Sequence, residues 1–147
     1  MNEIIQRILN MIPNVTLSES FVDSVLKRLV SLGYKYNDGS DDFALCFAIQ
    51  KVENHIKNSC NTISIPEGLY QIAVERICGE FLFAKKQTGQ LQIAELDLTG
   101  AIASISEGDT SVTFNSASTD EERFNQLLNV LMTKGEGEFV CFRKMSW

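Results

Sequence analysis

Three sets of side chains in this chain have the chemical type to do catalytic or metal-binding work, and their spacing decides what each is worth. Asp41 and Asp42 are adjacent carboxylates, and Glu53, Glu75 and Glu80 fall in helix-like stretches with the single histidine, His55, beside the first. Paired carboxylates act as general acid and base when they are held facing each other. Adjacent residues point in different directions, however, and acids favour the first turn of a helix, where the dipole is positive, so Asp41 and Asp42 read as helix-start acids. Glu53, Glu75 and Glu80 facing one another across a bundle would suit a di-iron type centre, but such a centre needs two Glu-x-x-His pairs. His55 lies beside an apolar stripe and reads as a helix-surface or boundary residue. Four cysteines, Cys46, Cys60, Cys78 and Cys141, form no CxxC pair. A zinc tetrahedron wants closely spaced thiols and imidazoles, so these read as buried, reduced thiols behaving as small hydrophobes. A phosphate loop, GxGxxG, HExxH and GxSxG are all absent from the sequence. The enzyme reading reduces to Glu75, Glu80 and His55 in a bundle pocket with no nucleophile to join them. The expectation is a protein that is not an enzyme and carries no metal and no cofactor.

The elements that position these groups are helical. Residues 2–12 place Ile5, Ile8, Leu9 and Ile12 on one face, and Pro13 ends the segment by excluding helix at the residue before it. Thr16-Leu17-Ser18-Glu19 has the form of a capping box. Phe21, Val22, Val25, Leu26, Leu29 and Val30 then draw a second stripe, closed by Gly33. Asn37-Asp38-Gly39 is turn chemistry, and Ser40 can cap a third helix over 41–58. Its Leu45, Ile49, Val52 and Ile56 form a stripe that Phe43, Phe47 and Ala48 are expected to widen. Ile65-Pro66-Glu67 opens a fourth helix reaching about residue 88. There Leu69, Ile72, Ala73, Ile77, Phe81 and Ala84 are joined by Tyr70, Val74, Cys78, Leu82 and Phe83 in an almost complete apolar wrap, the mark of a central helix. Glu75, Arg76 and Glu80 interrupt it and predict an exposed or inter-subunit strip. Residues 89–100 read as a connection. Thr119-Asp120-Glu121-Glu122 is a second capping box, and Phe124, Leu127, Leu128 and Leu131 give a fifth helix ending near Gly135.

At 147 residues, 44% hydrophobic and 22% charged, the chain has the size and composition of one ordinary globular domain. The apolar run 43–49 falls far short of the roughly 18 residues a bilayer span requires. Glu3 stands where a secretory signal would carry positive charge, which predicts a chain made and kept in a cytoplasm. A net charge of −6 argues against ordinary nucleic-acid binding, which gains affinity from cations that displace phosphate counterions. A DNA-binding regulator would want a basic recognition helix, and the most basic short stretch, Lys85-Lys86, follows a very apolar one. An acidic lining would instead reduce sticking in a passage through which DNA slides.

Two stretches break the helical pattern. In Ser104-Ile105-Ser106-Glu107-Gly108-Asp109-Thr110-Ser111-Val112-Thr113-Phe114, apolar and hydroxyl residues alternate around a turn, which predicts a β-hairpin arm over about 101–115. The tip Ser106, Glu107, Gly108, Asp109 and Thr110 reads either as plain turn chemistry or as a presented acidic surface. Residues 138–147 contain the β-prone run Phe139-Val140-Cys141-Phe142 followed by Arg143-Lys144-Met145-Ser146-Trp147. This ending is either a solvated end or an aromatic-basic anchor on a partner. The fold expected is therefore mainly α: a small bundle of four to five helices with an inserted β-hairpin and a strand-like C-terminal tail, in a single domain over 1–147.

The helix Ile65-Pro66-Glu67-Gly68-Leu69-Tyr70-Gln71-Ile72-Ala73-Val74-Glu75-Arg76, the hairpin around Ser106-Glu107-Gly108-Asp109-Thr110, and the ending Phe142-Arg143-Lys144-Met145-Ser146-Trp147 together resemble the head-tail connector (adaptor, head-completion) proteins of long-tailed bacteriophages and prophage-derived particles. The resemblance covers about residues 17–147 and leaves the first helix outside the family pattern. It implies a structural virion protein, made in the bacterial host cytoplasm and placed in the neck at the portal–tail junction. Identical subunits would form a ring, dodecameric in the particle, with the portal protein on one side and a tail-side connector or tail-completion protein on the other. DNA would pass through without sequence-specific binding, and no membrane is involved. Phe139, Phe142, Arg143, Lys144, Met145 and Trp147 become candidates for partner binding. Ser106, Glu107, Gly108, Asp109 and Thr110 become candidates for the lumen or the tail-side contact, and the two assignments are interchangeable. The alternative is a tail-completion or tail-terminator component.

Overall fold

The computed structural model describes residues 2–12, 18–36, 41–61, 65, 67–89 and 120–133. The expected hairpin arm and C-terminal tail, with every candidate site residue in them, lie outside these residues. The described part is mainly helical: α1 (Asn2–Met11), α2 (Glu19–Ser31), α3 (Asp42–Cys60), a 3-10 turn (Glu67–Leu69), α4 (Tyr70–Gln87) and α5 (Asp120–Met132). Five α-helices among the described residues agree with the bundle read from periodicity.

The helix ends follow local chemistry, with shifts from the sequence expectations. The N-cap of α2 is Ser18 and not Thr16: the Phe21 N–H donates to Ser18 Oγ at 3.3 Å. The cap thus lies two residues later than expected, with Phe21 in the place where a capping box needs Glu or Gln, so only the serine half of such a cap forms and Glu19 becomes a first-turn acid. At the other end Gly33 takes φ +89°, the Gly33 N–H bonds the Val30 carbonyl, and the Tyr34 N–H reaches back to the Leu29 carbonyl at 3.0 Å. This 6→1 and 5→2 pair is a Schellman motif, and Tyr34 and Leu29 are both buried, as its accompanying apolar contact requires. For α3 the N-cap is Asp41, whose side chain makes no cap bond because it is engaged elsewhere. The helix ends at Asn61 in the left-handed conformation, φ 53°, which asparagine tolerates.

Helix α4 packs on α5, α3 and α2, while α1 lies against α3 and α2. Leu69 of the 3-10 turn and Ile77, Phe81 and Leu82 of α4 are fully buried, and so are Ile8, Leu29, Leu45, Ile49, Ile56, Phe124 and Leu127 contributed by the surrounding helices. One contiguous apolar cluster therefore runs through all five helices. The central position expected of the fourth helix holds. Gly79 is a point of close approach between α4 and α5: a Cβ there would lie 2.8 Å from Leu131 Cβ and 2.9 Å from Met132 Cγ. Cys46, Cys60 and Cys78 are buried and reduced, as expected of small hydrophobes. The Cys46 and Cys78 thiols point at the Ile8 and Val25 carbonyls.

Candidate functional site

The start of α3, the end of α4 and residues 34–36 between α2 and α3 converge on a buried polar junction. Asp41, 1% exposed, pairs with Lys85 Nζ at 2.6 Å and accepts from the Tyr34 hydroxyl at 2.7 Å. Asp42 accepts from Arg7 Nε of α1 at 2.7 Å and from the Tyr36 hydroxyl at 2.6 Å. Tyr34 and Tyr36 meet the two faces of the problem with one partner: both rings contact Phe81, one edge-on at 5.2 Å and the other stacked at 6.3 Å. Burial works against ionisation of Asp42, but the hydrogen bonds from Arg7 and Tyr36, with the Arg7 charge, outweigh it and hold the carboxyl below the usual value. Burial, then the Asp42 bond and the two aspartate charges, push the Tyr36 phenol well up. Asp41 and Asp42 are thus at a helix start, as the sequence predicts, but they are buried charge partners rather than solvated first-turn acids. The junction ties α1, α3 and α4 together.

The remaining acids are also assigned. Glu53 pairs with Lys57 at 2.6 Å, Glu75 with Arg28 at 2.7 Å and Glu80 with Lys51 at 3.0 Å. The three do not face one another. Glu80 and His55 share a shallow groove of about 150 Å³ between α3 and α4, lined also by Lys51, Val52 and Arg76, while Glu75 sits on the α2 side. The trio Glu75, Glu80 and His55 is therefore not brought together. The groove is smaller than the roughly 300 Å³ at which small-molecule sites begin, and it suits a single side chain. Among the described residues no three His, Cys, Asp or Glu side chains are placed to hold a metal ion, and no helix is long and apolar enough to cross a membrane.

The expected widening of the α3 stripe by Phe43 and Phe47 is wrong, and the correction locates the surface of interest. Phe43 is 72% exposed and Phe47 61% exposed, whereas Ala48 is buried. Each phenylalanine stands two residues from Leu45, about 200° around a helix, so both lie opposite the core whatever their hydrophobicity. That signal was present in the spacing. Likewise Tyr70 and Phe83 of the supposed wrap are partly exposed, and Arg76 of the supposed exposed strip is buried. Lys51–Glu80 and Asp41–Lys85 show α3 and α4 running antiparallel, because position rises on one helix as it falls on the other. Phe47 is therefore one turn from Lys51 on α3, and Phe83 about one turn from Glu80 on α4, extending the groove with aromatic surface. No protein-family model, curated protein or solved structure matches this chain.

Proposed function

We propose that this chain is a structural subunit of a phage or phage-like particle, a head-tail connector that forms a ring between the portal and the tail and offers a docking surface to the next neck protein. The observation that carries the reading is the Phe43–Phe47 pair on α3, exposed at 72% and 61% on a body whose other large apolar side chains mostly close over one core. Two phenylalanines on successive turns, held out by a helix that is otherwise well buried, are a standing cost in water that a permanent neighbour removes. The resemblance in residues 65–76, 104–114 and 142–147 supplies the kind of neighbour: the portal protein, the tail-side connector, and further copies of the chain. Glu75, Glu80, Asp41 and Asp42 are each paired with a base on another helix, which fits an architectural role. A net charge of −6 suits a passage that DNA traverses without adhering.

The test is to mix the purified protein with the portal protein of the same genome and image the mixture by negative stain. A ring added beneath the portal supports the reading. A well-folded protein that leaves the portal bare overturns it in favour of the tail-completion or tail-terminator reading.

A further inference from the structure

We propose that the Phe43–Phe47 ridge of α3 closes on the same ridge of a second copy of this chain, the two α3 helices crossing about a two-fold axis at Phe47. The inference rests on the proposed function only in taking this ridge as a docking face. The pair forms in solution and opens when the portal or a tail-side protein takes the face, so it can be tested with neither partner present.

Three observations converge on that occupant. First, the face is one on which two acidic chains can meet. With a net charge of −6, copies repel wherever acids face acids. The exposed residues of α3 are Phe43, Phe47, Lys51, Asn54, His55 and Asn58, while its two acids, Asp42 and Glu53, are buried and paired with Arg7 and Lys57. Second, the ridge is complementary to itself. Phe43, Phe47 and Lys51 stand at i, i+4 and i+8 along one side of the helix, the kind of row that interdigitates in the commonest class of helix crossing, at about −50°. Turned about Phe47, the row sets Phe47 against Phe47 of the second copy and, twice over, Phe43 against Lys51 of the opposite chain. Each ammonium then lies over an aromatic face while Glu80 stays beside it, 3.0 Å away. The two Lys51 positions are kept about 12 Å apart along the helices, whereas a parallel pairing sets lysine against lysine. Third, the exposed area suits a weak, reversible pair. Phe43, Phe47 and Phe83 leave roughly 350 Å² of ring surface in water, at about 200 Å² a ring. That is nearly half of the about 800 Å² per partner in a standard interface. Met11 of α1, its sulfur 4.0 Å from that of Cys46, borders the ridge on the side away from Phe83 and is also partly exposed. Farther along α3 the exposed side chains turn to amides, Asn54 and Asn58, where helices crossing at this angle have diverged.

The full-length chain is kept reduced, and its weight-average mass is followed by sedimentation equilibrium from about 10 µM to about 1 mM, the range in which a small interface associates. The mass should rise from that of one chain toward that of two. Phe47→Ser should weaken the pair at least about tenfold, with circular dichroism unchanged. Exchange of charge tests the register. Phe43→Lys and Lys51→Glu each spoil the contact with the opposite chain, and each alone should also associate at least about tenfold more weakly. A mixture of these two variants should pair again, because the introduced lysine of one chain faces the introduced glutamate of the other. A chain that stays monomeric to about 1 mM, a dimer indifferent to Phe47→Ser, or a mixture no more associated than its components would each overturn the proposal. Such a failure is distinct from failure of the connector reading, since a monomeric chain can still add a ring beneath the portal.

Discussion

Asp41 begins α3, Lys85 stands in the last turn of α4, and their charged ends meet at 2.6 Å with both side chains at or below 5% exposure. Each group also suits its own helix, the acid at a positive end and the base at a negative end. The pair therefore marks the crossing of two helix termini, with Tyr34 as a third partner. Lys85→Met strands a carboxylate in the interior and is expected to lower stability by about 3–5 kcal/mol. Adding Asp41→Asn, which removes the charge and keeps an acceptor for Tyr34, should recover part of that loss. Urea denaturation of the three proteins measures both effects, and equal stability of the single and double variants would refute the assignment.

Asp42 sets the acid limb of the stability profile. Its carboxyl is held below its ordinary value in the folded protein, so its contribution is fully present above the unfolded value of about 3.9 and is lost as pH falls through the folded one. The urea midpoint should drop between about pH 5 and about pH 2, and Asp42→Asn should start lower and fall less steeply over that range. Parallel curves for the two proteins would contradict this.

Gly79→Ala tests the α4–α5 contact. Alanine gains about 1 kcal/mol of helix propensity over glycine, but its Cβ meets Leu131 and the Met132 backbone nitrogen, at 2.8 and 3.2 Å. Overpacking of this kind costs about 1–3 kcal/mol, so net destabilisation is expected, visible as a lower thermal midpoint. A rise would mean that α5 shifts without cost.

Phe43→Ser with Phe47→Ser separates surface from core. Both rings are mostly in water, so folding stability should change by no more than about 0.5 kcal/mol, while binding to the portal protein should be lost. Intact binding by a stable variant would remove this face from the interface.

The buried thiols should report unfolding. Burial, reinforced by the Asp42 charge, pushes Cys46 up to about 11, and burial raises Cys60 and, most strongly, Cys78. At about pH 8 in native buffer these three should react with a thiol reagent only as fast as the protein opens. Rapid labelling at any of them would show a local opening in its helix.

Much of the described body was legible because helix periodicity is a local property. Leu45, Ile49, Val52 and Ile56, or Phe124, Leu127, Leu128 and Leu131, identify their own faces without reference to partners. Phe43 and Phe47 misled because hydrophobicity was weighted over angular position. The Asp41–Lys85 and Asp42–Arg7 pairs were illegible for a different reason. They join residues whose proximity depends on how α1, α3 and α4 cross, and a charged side chain carries no mark of a distant partner. The groove combines both cases: His55, read as a helix-surface or boundary residue, is exposed on the helix surface, while Arg76, expected on an exposed strip, is buried at its wall.

Ile5 and Ile8 of the first helix, with Ile12 at its end, are in the common core, and Arg7 carries the cation for Asp42. Removing this helix would take away the Arg7 guanidinium from the Asp42 carboxylate, so α1 and position 42 are tied together: a neutral residue at 42 should soften the cost of losing the helix. The first helix is thus an electrostatic part of the junction as well as an apolar part of the core.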